Sequence, residues 1–278
     1  MSKIEWTEKT WNPTTGCDKI SHGCDNCYAL TMAKRLKAMG QAKYQNDGDP
    51  RTSGPGFGLT THPDVLNEPL RWRKPATVFV NSMSDLFHAR VPNGFLARVF
   101  AVMAATPQHS YQVLTKRPER MARAIGDIGF PELIQQAIDA MHDDPDDQLI
   151  GDGWPLRNVW LGTSIESDKY VRRADALRET PAAIRFISAE PLLGPLPSLD
   201  LTGIDWLILG GESGPGSRPL DLGWFRELIA MAADSGTSVF VKQLGTVWAE
   251  GSKGGDWSVW PDDLRIREYP QTRAEAAR

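Results

Sequence analysis

The sequence predicts an α/β protein built as a partial, TIM-like (β/α)6 barrel, with parallel strands and a long insertion after the first helix. Three observations carry that expectation. Short apolar runs alternate with helical stretches from Thr77 onward, the rhythm of right-handed βαβ crossovers. Six or seven such units can be placed, too few for a full eight-stranded barrel and enough for a partial one. Each apolar run also ends in charged or hydroxylated residues, as expected where strand ends share one polar mouth.

Taken in order, residues 4–15 read as a short first strand that delivers the loop after it. Residues 28–39 place Leu30, Ala33, Leu36 and Ala38 at helical spacing among Lys34, Arg35 and Lys37, and Gly40 is the stop. Residues 41–76 are rich in Gly, Pro, Asp and Thr and read as an insertion loop ending in the basic cluster Arg71, Trp72, Arg73 and Lys74. The run TVFVN at 77–81 is apolar throughout, the pattern of a strand buried on both faces. A helix at 91–106 follows, then a strand at 111–114 and a helical turn from Pro118. Residues 131–141 read as a helix and 142–154 as an acidic loop. Strands at 159–162, 184–188, 206–209 and 239–241 complete the sheet, with helices at 169–178 and 222–233 between them. Residues 246–278 form a C-terminal extension, with a strand from Arg265 and a polar tail. No internal repeat breaks the pattern, and 1–278 reads as one domain.

Composition narrows the function classes. The chain is 41% hydrophobic and 24% charged with a net charge of −4, so it is no polycation built for an extended nucleic-acid footprint. No apolar run approaches the ~20 residues of a membrane span, and the N-terminus lacks a signal-peptide pattern. Three cysteines without a secretion signal point to a reducing, cytoplasmic setting.

Those cysteines, Cys17, Cys24 and Cys27, lie in WNPTTGCDKISHGCDNCYA with the spacing C-x6-C-x2-C. Thiolates are soft ligands, and Gly16, Gly23, Asp25 and Asn26 suit the bends that turn sulfurs inward. The residues leave three readings open. The cysteines are inert and buried, or they bind zinc with His22 or a distant residue as fourth ligand, or they hold an iron–sulfur cluster with one iron free of cysteine. The strand ends offer Ser82, Ser84 and Asp85, then Lys116 and Arg117, then Thr163, Ser164 and Glu166, and finally Glu190, Glu212, Lys242 and Gln243.

Through WNPTTGC…GCDNCYA, FVNSMSDLFH, LTKRPER, VWLGTSIES, RFISAEPLLGP, DWLILGGESGP and FVKQLG, nearly the whole chain resembles the radical S-adenosylmethionine (SAM) superfamily. Within it, the chain is most similar to a family of phage and bacterial three-cysteine proteins. The superfamily's usual spacing is C-x3-C-x2-C, and here six residues, Asp18 to Gly23, fill the first gap. The resemblance implies a partial barrel and a 4Fe-4S cluster on Cys17, Cys24 and Cys27, with SAM's amino and carboxylate groups on the unique iron. It implies that an electron from a reductant protein or chemical donor cleaves SAM to methionine and a 5′-deoxyadenosyl radical, which takes hydrogen from a substrate. Ser82, Ser84 and Asp85 occupy the place that meets the methionine amino group, where the superfamily's usual Gly-Gly-Glu is missing. The Gly210-Gly211-Glu212 sequence follows a later strand and is not given that role. Lys116 or Arg117 would pair with the SAM carboxylate. Thr163 and Ser164, with Glu166 beside them, would meet the ribose, and Tyr28 the adenine.

Glu190, Glu212, Lys242 and Gln243 then remain for substrate or proton transfer, with buried structural ion pairs as the alternative. By the same resemblance the substrate is a nucleic-acid base or nucleotide undergoing repair or modification, with a small metabolite or a protein left open. Basic groups at 71–74, 116–123 and 172–173 are available to phosphates, and a flipped or single-stranded base suits the acidic balance better than groove binding. A different class stays open: a non-catalytic iron–sulfur or zinc protein acting as a sensor or partner-binding module.

Overall fold

Seven parallel strands, taken nearly in chain order, form one curled sheet that closes half of a barrel. The computed structural model describes residues 5–141, 153–249 and 254–270, so most of the expected acidic loop and the tail beyond 270 lie outside the described residues. The strands are β1 (Lys9–Trp11), β2 (Thr14–Thr15), β3 (Thr60–Thr61), β4 (Thr77–Val80), β5 (Ser110–Thr115), β6 (Val159–Ser164), β7 (Ile184–Ala189), β8 (Trp206–Gly210) and β9 (Ser238–Gln243). The helices are α1 (Tyr28–Ala38), α2 (Asn93–Ala104), α3 (Pro118–Ile125), α4 (Phe130–Asp139), α5 (Arg173–Glu179) and α6 (Leu222–Ser235). The sheet order is β1-β4-β5-β6-β7-β8-β9, while β2 and β3 make a separate antiparallel ribbon. Through that ribbon the insertion at 41–76 packs back beside the first strand. α3 is a full helix where the sequence suggested only a turn.

Each strand is apolar on both faces because each face meets a different layer. Val78, Val80, Tyr111, Val113, Leu161, Ile187, Leu207, Leu209 and Val241 face the helices in the outer core. Their neighbours point inward, where Trp6, Phe79, Trp160, Phe186, Trp206 and Phe240 fill the bottom of the half-barrel. Trp206 is fully buried, with ring centroids of Trp160, Phe186 and Phe240 each 5.8 Å away and Trp6 at 6.1 Å. Further along the same inward rows, the side chains turn polar: Lys116, Ser164, Ser188, Glu190 and Lys242. The barrel is therefore plugged at its base and open above it.

No helix links β7 to β8. Pro191, Pro195 and Pro197 prevent one, and Leu192, Leu196, Leu199 and Leu201 cover the sheet in its place. The free edge of β9 is covered by the C-terminal extension: Ile266 O accepts from Val241 N at 2.8 Å and Val239 O from Glu268 N at 2.8 Å. The expected strand from Arg265 is thus a short antiparallel pairing, Phe240 with Arg267.

Candidate functional site

The cysteine loop crosses the mouth of the half-barrel and is tied down at both ends. At its first end Gly16 has φ +84°, and a β-carbon there would lie 2.3 Å from the Gly58 carbonyl oxygen, so only glycine fits this turn. Gly16 N donates to Met83 O at 3.0 Å, and Cys17 N to Phe57 O at 3.3 Å, so the insertion backs the loop. Asp18 takes bonds from Thr52 Oγ1 at 2.8 Å, Ser53 Oγ at 2.9 Å and Arg90 Nη2 at 3.2 Å, and lies 2.8 Å from His88 Nε2. Burial pushes its pKa up, but these bonds outweigh burial and hold the carboxyl at about 2.

Arg117 reaches the loop from the end of β5. Its Nη1 donates to Cys17 Sγ at 3.3 Å and to Asp85 Oδ2 at 2.9 Å, and its Nη2 to Asp18 O at 2.9 Å. Asp85 also accepts from Thr115 Oγ1 at 2.7 Å, Phe87 N at 3.0 Å and Lys116 N at 3.1 Å. Four donors fill the lone-pair sites of its carboxylate. Asp85, expected to meet the SAM ammonium, and Arg117, expected as the alternative to Lys116 at the SAM carboxylate, form a buried ion pair that holds the cysteine loop.

At the far end, Asn26 Nδ2 donates to Glu212 Oε2 at 3.0 Å. Arg218 clasps the same carboxylate through its backbone N at 2.8 Å and Nε at 2.9 Å, and its Nη2 reaches His22 O at 3.0 Å. Burial opposes ionisation of Glu212, yet the Arg218 and Asn26 bonds hold its pKa below the usual range. Beneath the loop, a β-carbon at Gly23 would sit 3.1 Å from Glu166 Cδ. Glu166 is fully buried, pairs with Arg173 at 2.9 Å, and lines neither of the two cavities at the mouth.

All three cysteines line one cavity of 160 Å³. Among the described residues no group of three or more His, Cys, Asp or Glu converges on a single metal ion. Among the described residues neither loop candidate completes a zinc site: Asp18 is engaged by its own partners, and the 75%-exposed His22 faces Asp25 at 3.5 Å. A multi-iron cluster takes one sulfur per iron around its outside, and three soft donors spread around a cavity fit that demand. Burial, reinforced by the Asp85 charge, pushes the Cys17 thiol up to about 12 despite Arg117.

A second cavity of 380 Å³ runs into the barrel interior over Trp6, Phe79 and Leu114. Cys27, Tyr28, Ser82, Lys116 and Ser164 form a wall common to both cavities. The Tyr28 hydroxyl donates to Ser82 O, and Ser82 Oγ to Asn12 Oδ1 at 3.2 Å. The Lys116 ammonium has no ion-pair partner among the described residues. Glu190 lines the second cavity and accepts from Lys242 Nζ at 2.8 Å and Gln243 Nε2 at 2.7 Å. It lies over Gly210, where a β-carbon would stand 2.6 Å from its Cδ. Glu190, Glu212, Lys242 and Gln243 are thus ion-paired or hydrogen-bonded, and all but Gln243 also face the cavity.

Other expected contacts are not brought in. Thr163 is buried, donates to Thr115 O at 2.9 Å and lines neither cavity, because successive strand residues point to opposite faces and Ser164 faces in. Ser84 lines the first cavity, but its hydroxyl donates to Thr14 O at 2.8 Å. Residues 71–74 precede β4 and so lie at the face opposite the mouth, with Lys9 Nζ 4.8 Å over the Trp72 ring. Arg117 and Arg173 are taken up in buried ion pairs. Of the remaining basic residues, Lys116 lines both cavities, whereas Arg120, Arg123 and Arg172 line neither.

Fold and site together define a half-barrel protein with three cysteines gathered at its open mouth. The chain belongs to the DUF5131 family, described as proteins of unknown function, whose model matches residues 1–272. No curated protein matches it. Among solved structures it is similar to spore photoproduct lyase complexed with dinucleoside spore photoproduct, at 11% identity and a TM-score of 0.37. The match covers 80% of this chain and 60% of that one.

Proposed function

We propose that this protein is a radical SAM enzyme acting on a nucleotide or an extruded base. The observation that supports the reading best is the common wall, where a cavity ringed by the three cysteines opens onto a second cavity with an aromatic floor. A 4Fe-4S cluster held by Cys17, Cys24 and Cys27 would supply, on one-electron reduction by an external donor, the cleavage of SAM to methionine and a hydrogen-abstracting 5′-deoxyadenosyl radical.

The chain's own residues do the rest. Lys116, with its free ammonium on the common wall, pairs with the methionine carboxylate. Ser164 offers a hydroxyl to the ribose, and Tyr28 a ring edge to the adenine. Trp6, Phe79 and Leu114 keep water from the reacting carbon and give a planar base a surface to stack on. Glu190 is matched by Lys242 and Glu212 by Arg218, while Lys116 and Lys19, both lining the cysteine cavity, form no ion pair among the described residues, a balance that favours an anionic ligand. Anaerobic reconstitution with iron and sulfide, followed by electron paramagnetic resonance (EPR) of the reduced protein, tests the reading. SAM should change the cluster signal, and an identical signal with and without SAM contradicts it.

A further inference from the structure

Arg117 places a cation on a cysteine sulfur, its Nη1 lying 3.3 Å from Cys17 Sγ, and the same nitrogen is 2.9 Å from Asp85 Oδ2. The guanidinium side chain is 14% exposed and the carboxylate side chain 8%. Charges buried to this degree act strongly on a neighbour, because little water screens them. Neither group is free to swing away: Asp85 accepts four hydrogen bonds, and Arg117 is also anchored on the Asp18 carbonyl at 2.9 Å. Both line the cavity that holds the three cysteines.

We infer that Arg117 and Asp85 are a positioning pair that sets the reduction potential of a cluster on Cys17, Cys24 and Cys27. The inference rests on the cluster reading above. A cation donating to a ligand sulfur favours the electron-rich state and raises the potential; a carboxylate nearby favours the oxidised state and lowers it. Arg117 touches the sulfur directly, whereas Asp85 acts from behind it and holds the guanidinium in place. The two charges therefore push in opposite directions on one electron, which comes from the external donor. The same contact orients the Cys17 side chain at the start of the loop.

The test is an anaerobic EPR-monitored redox titration, with iron and sulfide analysis, of the reconstituted wild type, Arg117→Gln, Arg117→Lys and Asp85→Asn. Arg117→Gln should lower the midpoint potential, Asp85→Asn should raise it, and Arg117→Lys should stay nearer the wild type. A purely structural role would reduce iron content or stability without producing opposed shifts. Potentials that stay put, or move the same way, in cluster-loaded variants overturn the inference. If Arg117→Gln fails to fold or to hold iron, Asp85→Asn decides alone, and an unmoved or lowered potential there overturns it. A wild-type protein that takes up no iron and sulfide removes the cluster reading and this inference together, a result seen before any variant is made.

Discussion

Removing the guanidinium of Arg218 should loosen the cysteine loop at its far end without touching a cysteine. Arg218→Met keeps the apolar stem and deletes the donors to Glu212 and to the His22 carbonyl, leaving the backbone N–H bond to Glu212 at 2.8 Å. Glu212 is 5% exposed and would keep only that bond and the one from Asn26. Breaking a fully buried ion pair costs about 3–5 kcal/mol, and a hydrogen bond to a charged group is worth about 1.5–3 kcal/mol. Arg218 is 32% exposed, so water can reach part of the vacated space, and the lower figure governs. A loss of about 2 kcal/mol corresponds to a fall in Tm of roughly 4–8 °C. Urea unfolding followed by circular dichroism measures the loss, and hydrogen exchange at residues 22–26 localises it. Since Glu212 has its pKa lowered in the fold, its contribution is present above the ordinary carboxylate value and is lost as pH falls through the folded one. In Arg218→Met that loss should begin at higher pH. A destabilisation below ~0.5 kcal/mol with unchanged exchange would falsify the clasp.

Three further outcomes are expected. Asp18, held at about 2 against an ordinary 3.8, should stabilise the fold by roughly 2 kcal/mol at neutral pH, and lose that as pH falls from about 4 toward 2. Asp18→Asn should flatten this limb of the acid-unfolding curve, and an unaltered curve contradicts the network. Lys116→Met should weaken SAM binding about tenfold or more, from the loss of one charge-assisted bond, with the cluster absorbance intact; equal affinity by calorimetry removes Lys116 from the site. Gly16→Ala forces a side chain into a left-handed turn 2.3 Å from the Gly58 oxygen. It should cost about 1–3 kcal/mol and lower iron retention, and a variant matching the wild type in both would place the turn elsewhere.

The barrel was readable because a buried parallel strand is apolar from end to end and because its flanking turns are polar. The runs 77–81 and 206–209 therefore matched β4 and β8 closely. Strand alternation also carries a signal that separates Thr163 from Ser164, since successive side chains of a strand point to opposite faces of the sheet. The clasp was not readable. Arg117 meets Cys17 across 100 residues, and Asn26 meets Glu212 across 186, with no local spacing to announce either contact. The sequence leaves open whether the six residues between Cys17 and Cys24 supply a fourth ligand, such as Asp18 or His22. In the fold they carry the anchors of the loop instead, Asp18 at one end and the His22 carbonyl at the other. Glu166 reads as a polar strand end, yet it is buried under Gly23 against Arg173, a placement set by the tertiary fold.

The central claim is that the cysteine cavity holds a cluster on which SAM is cleaved. Its most direct measurement is the release of 5′-deoxyadenosine by protein reconstituted without oxygen, reduced chemically and supplied with SAM, followed by liquid chromatography. The wild type should release it slowly without substrate and faster when the correct nucleotide or single-stranded substrate is added. Cys17→Ala, Cys24→Ala and Cys27→Ala should each release none while remaining folded. A cluster-loaded wild-type protein that forms no 5′-deoxyadenosine under reduction would contradict the account.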